Sequence, residues 1–244
     1  MSSVDTLRFG EGINTTDIRA VQSGLHLQIV VSGIDADASS EVITFNDYFR
    51  NYYYEFDRVE FADDTVWGAS DISHALTLVG NSSDNIIDGN ANSNRIEGND
   101  GNDVLTGNAG DDVLLGGSGS DTYIFGADSG SDTIVNFDAD PASVDIALFE
   151  EVSFEDLWFS RNGDNLQITH AGTDDQVIVN NWYNGADYQL DSINTSSSVL
   201  LNNQVDQLVS AMATYDVPSG AGNVVPQDIK DQLQTVIAET WQAA

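Results

Sequence analysis

The sequence predicts a mainly β chain, with a parallel β-roll at its centre, β-strand arms on both sides and a short C-terminal helical segment. Three observations carry this. A nine-residue unit repeats without a gap from Gly80 to Ile124. Stretches before and after it alternate apolar and polar residues as half-buried strands do. Two stretches near the end place their apolar residues at helical spacing. The 244 residues suffice for one or two domains with a real core. A hydrophobic fraction of 41% separates the chain from disordered acidic tails.

The five units are GNSSDNIID, GNANSNRIE, GNDGNDVLT, GNAGDDVLL and GGSGSDTYI. Position one is glycine throughout, at Gly80, Gly89, Gly98, Gly107 and Gly116. Position six is Asn85, Asn94, Asp103, Asp112 and Asp121, and position eight is Ile87, Ile96, Leu105, Leu114 and Tyr123. A displaced sixth unit, ADSGSDTIV, sets Gly130, Asp132 and Ile134 in the matching places. A flexible Gly/Asn linker would not keep an apolar residue at every ninth position, whereas a coil whose core receives one side chain per unit requires it.

The pattern G-G-x-G-x-D-x-U-x is that of a calcium-binding parallel β-helix repeat. The segment therefore resembles the RTX, or haemolysin-type, calcium-binding repeats. The resemblance implies six-residue turns whose carbonyls point inward, alternating with three-residue strands whose middle side chain faces the core. Glycine, and less readily Asn, accepts the left-handed backbone such turns need. Two units complete one coil, so position six recurs on the same edge every eighteen residues. Carboxylates stacked there repel, and a calcium ion with six to eight oxygen ligands removes the repulsion. The implied ligands are Gly80, Ser82 and Asn85; Gly89, Ala91 and Asn94; Gly98, Asp100 and Asp103; Gly107, Ala109 and Asp112; Gly116, Ser118 and Asp121; and Asp132. The expected pairs are Asn85 with Asp103, Asn94 with Asp112, Asp103 with Asp121, and Asp112 with Asp132 across a two-residue insertion near Phe125 and Gly126. About four Ca2+ ions follow, tightest at Asp103 and Asp121, weaker or absent where Asn85 or Asn94 replaces a charged ligand.

The arms resemble each other and, together, the haemolysin-type calcium-binding related module. Asp17-Ile18 through Gly24 to Leu27-Gln28-Ile29 matches Asp156-Leu157 through Gly163 to Leu166-Gln167-Ile168 at identical spacing. Val42-Ile43 is set against Val177-Ile178, and Val59 against Ile193. The expected organisation is an N-terminal β arm at 1–79, the calcium-binding roll at 80–138, a second β arm at 139–195 and an amphipathic helical tail at 196–244. That tail has one apolar face within Val199–Tyr215 and another within Gln227–Trp241. By resemblance to exported RTX proteins, it is a candidate signal read by a type I secretion transporter.

Other chemistry is not written in the sequence. There is no H-E-x-x-H, no G-x-S-x-G and no phosphate-binding loop; Lys230 is the single lysine. His26, His74 and His170 stand far apart. By the resemblance to RTX proteins, and with no such signature, the chain is read as a non-enzymatic module of a larger exported bacterial protein, secreted and extracellular, with a toxin, adhesin or enzyme activity elsewhere. The alternative is a carbohydrate-binding accessory module of a polysaccharide-acting enzyme, with the aromatic run Tyr48, Phe49, Tyr52, Tyr53, Tyr54 and Phe56 as a stacking platform. The acidic pairs Asp63-Asp64, Glu150-Glu151 and Asp174-Asp175 are expected to be solvated. A formal charge of −33 repels nucleic acid and anionic lipid, and no apolar run reaches the ~20 residues of a membrane span.

Overall fold

The computed structural model describes residues 5–23, 26–31, 41–46, 48, 58–68, 71–72, 76–218, 220 and 222–244. They form two compact units, 1–79 and 80–244.

In the second unit the nine-residue period becomes a coil with two faces. Strands β8 (Ile86–Asp88), β10 (Val104–Thr106), β12 (Thr122–Phe125) and β14 (Ile146–Phe149) run parallel in one sheet. Strands β9 (Arg95–Asp100), β11 (Val113–Ser118) and β13 (Ser131–Ile134) run parallel in the other. Successive units thus alternate between sheets. Ile86 pairs with Val104, Val104 with Thr122, and Arg95 with Val113. A parallel coil suits these residues because a short strand on each side of the core needs only one inward-facing apolar position. Ile96, Leu105, Leu114, Tyr123 and Ile134, all at position eight, are fully buried.

The second arm extends both sheets. Strand β18 (Ser192–Thr195) joins β14 in parallel, and β17 (Gln176–Val179) joins β13 in parallel. Both sheets then turn antiparallel. Strands β15 (Leu157–Asn162) and β16 (Asn165–His170) form a hairpin on β17, while β19 (Ser198–Leu201) and β20 (Trp241–Ala243) complete the other edge.

The first unit has the same local plan. A 3-10 turn at Thr15–Asp17 leads into the hairpin β2 (Ile18–Ser23) and β3 (His26–Val31), followed by β4 (Glu41–Phe45). Ile18 faces Val31 and Ser23 faces His26, as Leu157 faces His170 and Asn162 faces Asn165 after the turn Phe154–Asp156. The third strand shifts the sequence match by one residue. Ile29 faces Ile43 and Ile168 faces Val177, so Ile43 corresponds to Val177 rather than Ile178. Strand β1 (Thr6–Arg8) pairs in parallel with β5 (Arg58–Glu60), which pairs antiparallel with β6 (Val66–Gly68), repeating the order β14, β18, β19. What differs is the docked strand: in the first unit β2 pairs with β7 (Leu76–Val79), whereas in the second β17 docks on the roll and β15 lies outermost.

The tail is not purely helical. Val199 and Leu200 belong to β19, so helix α1 spans only Asn202–Met212, and Trp241 leaves helix α2 (Gln227–Thr240) to start β20. Backbone pairing of 198–200 with 241–243 outweighs the helical spacing there, because it closes an otherwise open sheet edge. Helix α1 buries Val205, Leu208 and Met212 over the outer hairpin, where Trp158 and Phe159 are buried. Phe154, Phe159 and Trp241 stack beside them, and Lys230 Nζ reaches Asp156 Oδ1 at 2.7 Å.

Replacing Leu114, fully buried between the sheets, by Ala is expected to cost about 2–5 kcal/mol. Ile86→Ala, at a side chain 78% exposed, is expected to change stability by less than about 0.5 kcal/mol. Denaturant melts in saturating calcium measure both.

Candidate metal centre

Position six builds the site. Each aspartate there accepts the backbone N–H of position six one coil earlier. Asn85 N donates to Asp103 Oδ1 at 2.7 Å, Asn94 N to Asp112 Oδ1 at 2.6 Å, Asp103 N to Asp121 Oδ1 at 2.9 Å and Asp112 N to Asp132 Oδ1 at 3.0 Å. All four expected pairs are brought together. The Asp112–Asp132 pair survives the insertion because Val113 and Thr133 still face each other.

The other carboxylate oxygen is left over. Oδ2 of Asp103, Asp112, Asp121 and Asp132 is buried and accepts no hydrogen bond. An unpaired buried carboxylate oxygen is costly, so two in each of two columns, Asp103 and Asp121 on one edge of the coil and Asp112 and Asp132 on the other, call for cations. The glycines explain how the space is kept. A Cβ on Gly98 would strike Asp103 Oδ2 and lie 2.6 Å from the carbonyl oxygen of Gly116. A Cβ on Gly107 would strike Asp112 Oδ2 in the same way. Carboxylate oxygen and glycine carbonyl of adjacent coils therefore share one small volume. Gly101 and Gly110, both at φ 119°, complete the turns against the backbones of Ser83 and Asn92. Among the described residues no three acidic or histidine side chains converge. The donors are instead paired carboxylates and main-chain carbonyls, an all-oxygen set that fits calcium rather than a softer metal.

The remaining predicted ligands fall into two groups. Gly98, Gly107 and Gly116 are buried beside the column. The side chains of Ser82, Ala91, Asp100 and Ser118 are exposed and that of Ala109 is half-buried, so position three can offer the ion only main-chain oxygen. At the first two steps the amides close on themselves. Asn85 Oδ1 accepts from Asn81 N at 2.6 Å and Asn94 Oδ1 from Asn90 N at 2.7 Å, near the carbonyls of Gly98 and Gly107. Position two adds a brace: Asn99 and Asn108 donate from their amides to the carbonyls of Gly80 and Gly89, each at 3.0 Å.

Burial dominates the electrostatics. It pushes the carboxyls of Asp121 and Asp132 up to about 7, helped by the carboxylates of Asp145 and Asp103 in the first case and Asp112 in the second. Asp103, Asp112 and Asp145 are raised by burial as well, against the lowering effect of their backbone N–H donors.

Three acidic residues outside the repeat extend the two edges. Asp121 N donates to Asp145 Oδ1 at 2.9 Å, and Asp145 N to Asp191 Oδ2 at 2.9 Å. On the other side Asp175 accepts from Asp128 N and Gly130 N, both at 3.0 Å. Asp175, expected to be solvated, is buried because those two N–H groups hold it against the last turn. None keeps the eighteen-residue period, so spacing could not find them. A second, outer ladder runs through position five: Asn102 N donates to Asp84, Ser120 N to Asn102, Asp111 N to Ser93 and Ser131 N to Asp111. Its only sequence signal is that position five is Asp, Ser or Asn in every unit.

His170 Nδ1 lies 3.7 Å from Asp175 Oδ2, outside the column. His74, Phe49, Tyr52, Tyr53, Tyr54 and Phe56 lie outside the described residues, while Tyr48 is buried in the first unit.

The family model of the RTX calcium-binding nonapeptide repeat (4 copies) matches residues 77–105, 88–123 and 97–134. The chain carries an RTX calcium-binding repeat block. The model of the haemolysin-type calcium binding protein related domain matches residues 165–204, within the second arm. The roll is thus a calcium-binding module with its related domain directly downstream. Among solved structures, the extracellular lipase LipA from Serratia marcescens matches at 17% identity and a TM-score of 0.25. That match covers 71% of this chain and 31% of the lipase, so the chain spans about a third of the lipase's length. Among the described residues no helix is long and apolar enough to cross a membrane.

The raised carboxyls set a pH dependence. A carboxyl whose folded value lies above its unfolded one stabilises the fold while protonated, and that stability is lost as pH rises through the folded value. With Asp121 and Asp132 at about 7, the chain in chelator is expected to gain β structure as pH falls from about 8 to 5. Saturating calcium should remove this gain, since the ion replaces the protons. Circular dichroism across that range, with and without calcium, reads both.

Proposed function

We propose that this chain is the calcium-coupled folding module of a larger protein exported by a type I system, and that it acts by folding rather than by catalysis. At cytosolic calcium, ionised carboxylates in the column repel one another and the glycine-rich turns favour the unfolded chain. An unfolded chain suits passage through a narrow transporter. Outside the cell, calcium at ~10⁻⁴–10⁻³ M, the range of extracellular modules, satisfies the leftover oxygens, and binding free energy becomes folding free energy.

The observation that carries this reading is the four buried Oδ2 atoms, on Asp103 and Asp121 in one column and on Asp112 and Asp132 in the other, without any hydrogen-bond donor. Supporting it are the Gly116 carbonyl held beside Asp103 Oδ2 and the all-oxygen character of the paired carboxylates. Within the unit, 80–138 is the metal-binding part, 139–195 the arm that covers its end, and 196–244 the segment read by the transporter before it folds onto β15 and β19. The exported cargo lies outside this chain and supplies whatever activity the parent has.

Circular dichroism of the purified chain tests the proposal. A cooperative gain of β signal is expected on adding millimolar calcium to the EDTA-treated chain, and reversal on chelation. A β signal that ignores both additions would overturn it.

A further inference from the structure

We propose that the cation column extends one step past the repeats, with an ion between Asp121 and Asp145 whose second wall is non-repeat sequence, seated beside the Tyr123 hydroxyl oxygen. This deepens the calcium reading above and rests on it.

The step from Asp121 to Asp145 has the geometry of the steps below it. Asp145 Oδ1 accepts Asp121 N at 2.9 Å, as Asp121 Oδ1 accepts Asp103 N at 2.9 Å. Asp121 is 0% exposed, yet its Oδ2 has no hydrogen-bond partner. That oxygen lies in its own turn against Gly116, where a Cβ would also meet the Tyr123 hydroxyl at 2.6 Å.

A tyrosine hydroxyl at this place would ordinarily donate its proton to the carboxylate and end the need for a cation. Here the proton is committed elsewhere. Tyr123 donates to Asn136 Oδ1 at 2.9 Å, and the Asn136 amide is fixed by donating from Nδ2 to Asp145 Oδ2 at 2.9 Å and to the carbonyl of Gln189 at 3.2 Å. Gly116 N donates to the hydroxyl at 3.0 Å. The relay Asp145–Asn136–Tyr123 thus turns the hydroxyl so that it presents a lone pair to Asp121. An oxygen acceptor beside an unpartnered carboxylate oxygen repels it unless a cation lies between them.

The relay also explains Tyr123 at position eight, where the other units carry Ile or Leu. Its ring fills the core while its hydroxyl serves the last step. At the other end of the column the opposite holds. Asn85 Oδ1 already accepts an N–H, so the first turn itself contributes no buried acceptor without a donor.

Calcium stoichiometry of the full chain, by calorimetric titration and native mass spectrometry, tests this with Asp145→Asn, Tyr123→Phe and Asp103→Asn. Asp145→Asn and Tyr123→Phe are each expected to bind one ion fewer than wild type while retaining the calcium-dependent β signal, which shows that they fold. Asp103→Asn, within the repeats, is expected to lose an ion too and serves as the control for the column. Wild-type stoichiometry in both Asp145→Asn and Tyr123→Phe, with a loss in Asp103→Asn, would overturn this step and leave the repeat column standing. A wild-type chain that takes up no calcium would overturn the underlying reading itself.

Discussion

Each aspartate of the column has two oxygens, and the fold supplies hydrogen to only one. The N–H of the previous coil goes to Oδ1, which fixes the spacing of the turns and the rotamer of the side chain. Oδ2 is then buried away from water, at Asp103, Asp112 and Asp121 against the glycine that opens the same turn, and at Asp103 beside the Gly116 carbonyl of the next coil. The rest of the molecule depends on how that oxygen is satisfied. The backbone turns cannot move away, because the parallel strands on both sides lock their register. Protons can satisfy it at low pH and a cation at neutral pH, and nothing else is within reach.

The constraint accounts for features that otherwise look unrelated. Glycine at position one is required by space, since any Cβ would enter the volume the oxygens share. Asn at position two braces consecutive turns. The last coil cannot end on a bare carboxylate, and it meets Asp145 and Asp175 from the following segments instead. At their C-terminal ends both sheets finish in antiparallel strands, with β20 at the edge of one and the outer hairpin at the edge of the other. The charge divides along the same line. Residues 80–138 carry a net −10 of the total −33, a share that divalent ions in the column can offset; the rest lies in the arms and tail.

Much of this was legible in the sequence, because a strict period translates directly into a stack. Position eight named the side chains buried from Ile96 to Ile134, and position six named the two hydrogen-bonded ladders, Asn85–Asp103–Asp121 and Asn94–Asp112–Asp132. The duplicated arms were legible from Leu27-Gln28-Ile29 and its copy, although the third strand moved by one residue because the intervening loops differ in length and the pairing is set by Ile29 and Ile168. What was hidden depended on tertiary contact. Asp145, Asp191 and Asp175 lie 24, 46 and 45 residues from the donors they meet, so no period announces them. Residues 198–201 and 241–243 continue apolar helical faces, and it is pairing that makes them strands, β19 with β18 and β20 with β19. The orientation of the Tyr123 hydroxyl likewise depends on Asn136, thirteen residues away in a segment outside the repeat.

The central claim is that calcium supplies what the column's second oxygens lack, and that the coil does not hold without it. Amide hydrogen exchange at Asn85, Asn94, Asp103, Asp112 and Asp121, whose N–H groups are donated to the column, measures this most directly. In millimolar calcium these amides are expected to exchange slowly as one cooperative block. In EDTA at neutral pH they are expected to exchange at the rate of an unfolded chain. Equal protection in calcium and in EDTA would contradict the account.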